Sequence, residues 1–274
     1  MSESEAKYDM IVIGSGGAGL SAAVSATETG ARVIILEAES AVGGSTKKSA
    51  GVLVAAGTSI QRALNVQDNA DLMYQHYMDL NQWKVLPGPV RQFCERSSEM
   101  VEWLLSIGLE IPAQHSTNAH TPGLTRGGVE NVNRCHVPVG QGPGLVAALD
   151  NRRKELGIPL RPNTRVTDLI IDEHRIQGVK VGEEELRAPA VVVASGGFAR
   201  NSDLLRKYFP DAHDAGTSFF AVAADGSRGG PPAFCRGTRS ENFRPQLGTA
   251  VDDGSLPAIP PLGKWFPTGV STLR

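Results

Sequence analysis

The sequence predicts an α/β fold built around a mainly parallel β-sheet. Two short apolar runs indicate buried strands, because strands covered on both faces of a sheet carry continuous apolar residues. The first run, at residues 8–13, ends at the glycine cluster GSGGAG, and the second, at residues 32–36, ends at Glu37. The stretch between them, residues 20–29, has the small and apolar residues of a helix packed on a sheet, and Gly30 ends it.

The glycine cluster has the pattern of a dinucleotide-binding turn. Gly14, Gly16 and Gly19 form G-x-G-x-x-G directly after the first strand, and an acid, Glu37, follows about 20 positions later. Gly14 permits a tight turn, Gly16 lets the backbone approach a pyrophosphate, and Gly19 permits close helix–strand packing. Because strand, helix, second strand and acid all stand where this mechanism needs them, we interpret the unit as a Rossmann-type dinucleotide site rather than a purely structural turn.

The ends of this unit carry the groups that would bind the dinucleotide. Unpaired N–H groups at the start of the helix, together with its positive dipole end, favour phosphates. Glu37 can accept hydrogen bonds from ribose hydroxyls and would repel the extra phosphate of NADP. The predicted contacts here are Gly14, Ser15, Gly16, Gly17, Ala18, Gly19, Glu37 and Ala38.

A second glycine pair separates FAD from NAD as the cofactor. Gly43 and Gly44 follow Glu37 by six and seven positions. FAD is the longer molecule and lies extended, so a second backbone loop must reach it, and small residues suit that approach. The alternative is a surface loop in which the glycine pair only marks a turn. The predicted contacts of this loop are Gly43, Gly44, Ser45, Thr46, Ala50 and Gly51.

Four further segments complete a family pattern. They are SSEMVEWLLSIGL at 97–109, RCHVPVGQGPGLVAAL at 134–149, RPNTRVTDLIIDEHRIQGVKV at 161–181 and AVVVASGGFARNSDLLRKYFP at 190–210. With the glycine loops, they resemble the FAD-dependent fumarate reductase and succinate dehydrogenase flavoprotein superfamily. Its soluble flavocytochrome-type fumarate reductases and 3-ketosteroid dehydrogenases are the most similar members. The resemblance runs from about residue 8 to about residue 226, and Ser195 stands where threonine is usual.

The resemblance implies FAD as cofactor and adds contacts. The turn formed by Ala194, Ser195 and Gly196 would line the cofactor, although a simple turn out of a strand is the alternative. The backbone of Val166 would meet the adenine, with its side chain in the core. Asp225 would be the aspartate of a T-G-D-G motif.

The resemblance also implies a reaction. Members are FAD-dependent oxidoreductases that transfer a hydride between the flavin and an activated C–C or C=C bond of a small substrate, a dicarboxylate or a ketosteroid. Members with covalent flavin carry a histidine in the second glycine loop, where this chain has Ser45 and Thr46. We therefore expect non-covalent FAD. The alternative is a non-catalytic or unstable FAD-binding fragment, because members are much longer and carry a substrate cap.

No catalytic residue is assigned from the sequence. His136 is the obvious candidate, because histidine is the common acid–base group at neutral pH. In the family, however, the R-x-H-x-P histidine is mainly structural or lies near the flavin. We therefore expect a satisfied polar contact for His136, and Arg134 has the same ambiguity.

The sequence divides into an FAD-binding domain at residues 1–226, expected to be the N-terminal portion of a family member, and an irregular tail at 227–274. An antiparallel extension of the sheet is expected around residues 163–193. Seven of the 17 prolines fall in the tail, and proline opposes helix interiors and central strands. Out-of-frame translation, a divergent linker and pairing with another subunit remain open explanations.

Composition narrows the functional classes. A net charge of -2 and a pI near 6.3 argue against nucleic-acid and membrane-surface binding. No apolar run approaches the roughly 20 residues that span a bilayer. Three cysteines without C-x-x-C spacing suggest neither a disulfide framework nor a metal site. We expect a cytoplasmic protein with a small-molecule substrate and an unidentified electron-transfer partner.

Overall fold

A computed structural model describes residues 7–172, 175–197, 201–208, 210–214 and 272–273 of the chain. The strands are β1 (Met10–Ile13), β2 (Val33–Leu36), β3 (Leu53–Val54), β4 (Gly123–Thr125), β5 (Cys135–Val137), β6 (Leu160–Arg161), β7 (Asp168–Asp172), β8 (Arg175–Val181), β9 (Glu184–Arg187), β10 (Ala190–Val193) and β11 (Thr272–Leu273). The helices are α1 (Gly17–Glu28), α2 (Ser59–Ala63), α3 (Ala70–Leu80), α4 (Pro87–Ser106), α5 (Gln141–Glu155), α6 (Ser202–Tyr208) and α7 (Pro210–Asp214). A 3₁₀ turn spans Thr46–Lys48.

The described residues form two compact units, the first within residues 7–48, 149–214 and 272–273, and the second within residues 49–148. The first unit contains a five-stranded sheet in the order β11-β10-β1-β2-β6. β1 pairs in parallel with β10 and β2, and β2 pairs in parallel with β6, whereas β10 and β11 are antiparallel. The predicted mainly parallel α/β fold is confirmed.

A second, antiparallel sheet of the first unit has the order β7-β8-β9. It falls inside residues 163–193, but it is a separate sheet rather than the expected extension of the parallel one. A hydrophobic core shared by both sheets buries one face of β1 and β2, because its members in these strands are alternate residues, which point to the same side. Its members are Ile11, Ile13, Ile34, Leu36, Val166, Val179, Ala188 and Val191.

The second unit was not expected from the sequence as a separate body. Its described part contains the antiparallel sheet β3-β5-β4 and the helices α2, α3 and α4. Its core includes Val54, Ala56, Met73 and the free cysteines Cys94 and Cys135. Burial raises the pKa of Cys94 to about 11 and that of Cys135 to about 12, so neither thiol is reactive at neutral pH.

Two helices begin earlier than the sequence indicates. α1 begins inside the glycine cluster, at Gly17 rather than at residue 20, because Gly17 and Gly19 are themselves helical. α4 covers most of the segment SSEMVEWLLSIGL at 97–109, which resembles a helix of the family, and begins ten positions before it, with Pro87 in its first turn. Proline suits that position because the N–H group it lacks would have no partner inside the helix.

Part of the predicted organisation cannot be compared with the structure. The boundary between residues 226 and 227 lies outside the described residues, so the division into domain and tail stays a prediction.

Within the described ranges, no helix has both the length and the apolar character that crossing a membrane requires.

Candidate cofactor-binding site

The first glycine loop leaves the sheet between two neighbouring strands. The Gly14 N–H donates to the Leu36 carbonyl at 2.8 Å, and the Ala194 N–H donates to the Ile13 carbonyl at 2.9 Å. Gly14 has a φ of 98°, and a Cβ on it would lie 2.5 Å from the Ala194 carbonyl oxygen. The turn therefore requires glycine for both its backbone angle and its close approach to the end of β10.

Gly19 brings α1 down onto this turn. A Cβ on Gly19 would overlap the Gly14 carbonyl oxygen and would lie 3.4 Å from the Cβ of Ala194. Gly19 is buried, as is the following Leu20, which is 0% exposed. The packing role expected for the third glycine of the motif is what the geometry shows.

Gly16 has a different environment, which fits a phosphate group. It is the N-cap of α1, with φ -69° and no side-chain cap. A Cβ on Gly16 would find its nearest atoms, the Gly43 carbonyl oxygen and Thr46 Oγ1, only at 3.9 Å. The N–H groups of Ala18 and Gly19, in the first turn of the helix, have no acceptor inside the helix. Open space beside such donors, at the positive end of a helix dipole, suits a pyrophosphate.

The second glycine loop is bonded to the first. The Gly43 N–H donates to the Ser15 carbonyl at 3.1 Å, and the Gly17 N–H donates to Thr46 Oγ1 at 3.0 Å. Gly43 and Gly44 have φ values of 116° and 49°, which favour glycine. The alternative of an independent surface loop therefore does not describe Gly43–Thr46, because the two loops form one continuous edge.

The Glu37 carboxylate accepts more hydrogen bonds from the protein itself than the sequence suggests. It is 7% exposed, at the carboxyl end of β2. Its Oε2 accepts both the Ser15 N–H at 2.8 Å and the Ser15 hydroxyl at 2.5 Å, and its Oε1 accepts the Glu39 N–H at 2.9 Å. Because an ionised carboxylate has about four acceptor positions, one remains, on Oε1.

Val166 lies in a segment that continues the pairing of β2 beyond its end. The Thr164 N–H donates to the Glu37 carbonyl at 2.7 Å. Val166 is 3% exposed and belongs to the same core as Leu36, so its side chain is in the core as expected. Ala38 is half-buried. These residues all lie near the carboxyl end of β2.

The turn after β10 lies beside the first glycine loop. The Cα of Ser195 would be 3.3 Å from a Cβ placed on Gly14. Gly196 has a φ of 82° and is exposed, with open space around the position of a Cβ. The structure thus brings Ala194–Gly196 next to Gly14, whereas Asp225 lies outside the described residues.

The remaining predicted contacts of the second loop do not all belong to one unit. Ser45 is exposed in the first unit, whereas Ala50 and Gly51 belong to the second unit. A Cβ on Gly51 would lie 2.5 Å from the Gly142 nitrogen, and the Gly142 N–H donates to the Ser49 carbonyl at 3.2 Å. Packing on the start of α5 is therefore sufficient to explain the glycine at position 51.

His136 is fully bonded within the second unit. Its Nδ1 lies 2.7 Å from the Arg134 carbonyl oxygen, which can only accept, so Nδ1 carries the proton. Nε2 then accepts the Thr58 hydroxyl at 2.8 Å, and Thr58 Oγ1 accepts the Gln61 N–H at 3.1 Å. Burial lowers the pKa of His136, which is 0% exposed. The expected satisfied polar contact is what the geometry shows.

Arg134 is the centre of a buried ionic cluster. Its guanidinium makes two hydrogen bonds of 2.7 Å to Asp68 and one of 3.1 Å to Glu130. Tyr77 donates to Glu130 at 2.8 Å, and burial, reinforced by that carboxylate, raises the pKa of Tyr77. The side chains of Arg134, Asp68 and Glu130 are all 0% exposed.

Two features of these sites were missed from the sequence. Ser15 was predicted as a cofactor contact but not as a partner of Glu37, and Asp68 was not singled out. A serine inside a glycine motif gives no signal for a bond 22 positions away. Asp68 belongs to no motif. Only the requirement of a buried Arg134 for an acidic partner could have indicated it. Within the described residues, no group of histidine, cysteine and acidic side chains could hold a metal ion.

The parallel sheet and the joined glycine loops define a Rossmann-type flavin-binding domain. The chain belongs to the FAD binding domain family, which matches residues 9–230. Its cofactor is FAD, and its relatives are FAD-dependent oxidoreductases, as the sequence predicts.

Two curated relatives illustrate the family. Fumarate reductase (cytochrome) of Shewanella frigidimarina is 35% identical over 211 residues, which are 74% of this chain and 35% of that protein. The KsdD-like steroid dehydrogenase of Mycolicibacterium smegmatis is 30% identical over 75% of this chain and 43% of its own length. The chain thus spans less than half the length of these relatives.

Two solved structures share the fold. The 3-ketosteroid-Δ4-(5α)-dehydrogenase of Rhodococcus jostii matches with a TM-score of 0.73 and 26% identity, over 83% of this chain and 53% of that one. A flavocytochrome c3 fumarate reductase matches with a TM-score of 0.68 and 30% identity, over 77% of this chain and 37% of that one.

Proposed function

We propose that this chain holds FAD non-covalently and serves hydride transfer between the flavin and an activated C–C or C=C bond of a small substrate. The observation that carries the proposal is the bonding of the two glycine loops through Ser15–Gly43 and Gly17–Thr46, because loops joined in this way would present backbone from both to one extended ligand. The substrate classes, dicarboxylate and ketosteroid, follow from the names of the fumarate reductase and steroid dehydrogenase relatives.

When bound, FAD supplies a ring system that accepts or donates a hydride. The residues of this chain would bind the cofactor and orient it. The N–H groups of Ala18 and Gly19 would donate to the pyrophosphate, and Gly16 would keep a side chain out of its way. Glu37 would accept from the adenosine ribose, and the backbone near Val166 would border the adenine.

The proposal also includes the turn after β10 and further residues of the second glycine loop. The turn Ala194–Gly196 would border the cofactor, because it stands next to Gly14. Ser45 and Thr46 replace the histidine that bonds the flavin in covalent members, which supports non-covalent binding. Asp225, Ala50 and Gly51 stay predictions.

No acid or base for substrate chemistry is assigned. His136 and Arg134 are bonded within the second unit to groups that leave no role for substrate. Substrate carboxylates require arginine or histidine partners, and ketone oxygens require hydrogen-bond donors. The described residues do not identify these partners.

The first experiment tests the cofactor. The purified chain should be yellow, and denaturation in acid should release all of its flavin as intact FAD into the supernatant. Flavin retained in the protein pellet would overturn non-covalent binding. A folded chain, judged by circular dichroism, that stays colourless with added FAD and binds NAD more tightly in calorimetry would overturn the proposal.

A second candidate is a chain that binds FAD without catalysing a reaction. The observation that favours it is that His136 and Arg134, the residues considered for substrate chemistry, are both bonded within the second unit. Steady-state assays with reduced dye and fumarate, and with a ketosteroid and an artificial acceptor, separate the two. A rate above that of free FAD supports the oxidoreductase, and a yellow protein with no such rate supports the non-catalytic chain.

A further inference from the structure

Ser15 joins three parts of the candidate site, although it is completely buried. Its exposure is 0%. Its N–H and its hydroxyl both donate to Oε2 of Glu37, at 2.8 Å and 2.5 Å. Its carbonyl oxygen accepts the Gly43 N–H at 3.1 Å. One serine thus connects the first glycine loop, the second glycine loop and the acid at the end of β2.

These bonds limit what Glu37 can offer a ligand. Ser15 uses the two acceptor positions of Oε2, and the Glu39 N–H uses one of the two on Oε1. A single acceptor position therefore remains on the carboxylate. A ribose carries two neighbouring hydroxyls, so the carboxylate can accept a hydrogen bond from only one of them.

We propose that Ser15 is a positioning residue that orients the Glu37 carboxylate so that it accepts from one of the two hydroxyls of the adenosine ribose. This inference rests on the proposed function, because it takes FAD as the ligand. Without the Ser15 hydroxyl, Oε2 would keep one donor and gain an open acceptor position. The carboxylate could then also rotate, because the terminal torsion of glutamate has a broad energy minimum. Both ribose hydroxyls would become acceptable partners.

The test compares three ligands on the full chain. They are FAD and its analogues with 2′-deoxyadenosine or 3′-deoxyadenosine, and the dissociation constants are measured by calorimetry or flavin fluorescence. For the unsubstituted chain, one analogue should bind about tenfold more weakly than FAD, and the other within about twofold of FAD. For Ser15→Ala, the ratio between the two analogues should fall to about twofold or less.

A matched control separates positioning from a general structural effect. Ser97 is 2% exposed, donates to the Cys94 carbonyl at 2.8 Å and accepts the Ala56 N–H at 3.2 Å, all within the second unit. Ser97→Ala should therefore keep the full ratio between the analogues. Glu37→Gln should lose that ratio, because its one oxygen would accept from the two Ser15 donors and its NH2 group, which cannot accept, would stand in place of Oε1.

The outcomes are distinct. Equal affinity of the unsubstituted chain for the two analogues would overturn the inference, and this measurement needs no variant that must fold. A Ser15→Ala variant that weakens all three ligands by the same factor would overturn it too, because such a loss reflects structure alone. In both cases FAD binding stands. Failure of the unsubstituted chain to bind FAD would instead overturn the proposed function.

Discussion

The side-chain oxygen of Thr46 lies 3.0 Å from the backbone nitrogen of Gly17 and accepts its N–H. This bond joins residues 29 positions apart in two different glycine loops. Gly17 is the first residue of α1, and Gly16 provides no side-chain cap. Thr46 therefore caps the helix from the other loop, and it satisfies one of the N–H groups that have no intrahelical partner.

Replacing this cap should weaken both the fold and cofactor binding. Thr46→Val removes the acceptor while it keeps the shape of the side chain. We expect the free energy of unfolding to fall by about 1 kcal/mol, as for other lost helix caps. FAD affinity should fall about fivefold to tenfold, because one of the two described bonds that join the loops is lost and only the Gly43–Ser15 bond remains. Urea unfolding and flavin titration measure the two effects.

Thr27 provides a control for the same substitution. Its hydroxyl oxygen is buried without a hydrogen-bond partner among the described residues. Thr27→Val should therefore leave the free energy of unfolding unchanged or raise it by up to about 1 kcal/mol. Thr46→Ser should retain FAD affinity. If Thr46→Val matched the unsubstituted chain in both measurements, the cap would have no role.

Gly16 and Gly19 should respond differently to alanine although they share one motif. A Cβ on Gly19 overlaps the Gly14 carbonyl oxygen, so Gly19→Ala should lower the free energy of unfolding by about 1–3 kcal/mol. A Cβ on Gly16 has its nearest atoms at 3.9 Å, so Gly16→Ala should change the stability of the cofactor-free protein by less than about 0.5 kcal/mol.

The same Gly16→Ala substitution should still impair the site. Its Cβ would enter the space proposed for the pyrophosphate, so FAD affinity should fall at least about tenfold. Thermal unfolding without FAD and calorimetry with FAD separate the two glycines. Equal loss of stability in both variants would show that Gly16, like Gly19, is needed for packing.

His136 should make stability depend on pH. Burial lowers its pKa from the ordinary 6.5, so near this pH the unfolded chain binds more protons at this ring than the folded protein does. The free energy of unfolding therefore rises with pH. The contribution of neutral His136 is fully present above pH 6.5 and is lost as the pH falls from there toward the lower pKa of the folded state.

Urea unfolding between about pH 8 and about pH 5 tests this dependence. His136→Gln should be less stable at pH 8, because the bonds to Thr58 and Arg134 are disturbed, but its stability should change less with pH. His120 is exposed, so His120→Gln should follow the unsubstituted chain. An identical pH slope for His136→Gln and the unsubstituted chain would contradict the buried neutral ring.

The ionic cluster around Arg134 should be sensitive to the loss of its cation. Arg134→Met leaves Asp68 and Glu130 buried without their partner, so the free energy of unfolding should fall by about 3–5 kcal/mol. Arg96 provides the surface control, because its pair with Glu99 has exposures of 66% and 69%. Arg96→Met should cause little change. Similar stability of the two variants in urea would show that the buried cluster contributes no more than a surface pair.

Some of the fold could be predicted because its signals are local. The apolar runs predict β1 and β2, and the spacing of Gly14, Gly16 and Gly19 predicts the turn between β1 and α1. The separate second unit could not be predicted, because its sheet depends on pairing β3 with β5, more than 80 positions further along the chain. The start of α1 was placed too late because glycine is a poor helix former, and the packing of Gly19 on Gly14 outweighs that preference.

The amino-acid sequence by itself determined the β-α-β unit, the two glycine loops and the acid at the end of β2, because each depends on residue types at fixed short spacings. Only the tertiary structure decided that Thr46 caps α1 and that Ser15 occupies one oxygen of Glu37. It also decided that Arg134 pairs with Asp68, 66 positions away. Such partners meet through strand pairing and burial, and a buried donor must then find whichever acceptor the fold places beside it.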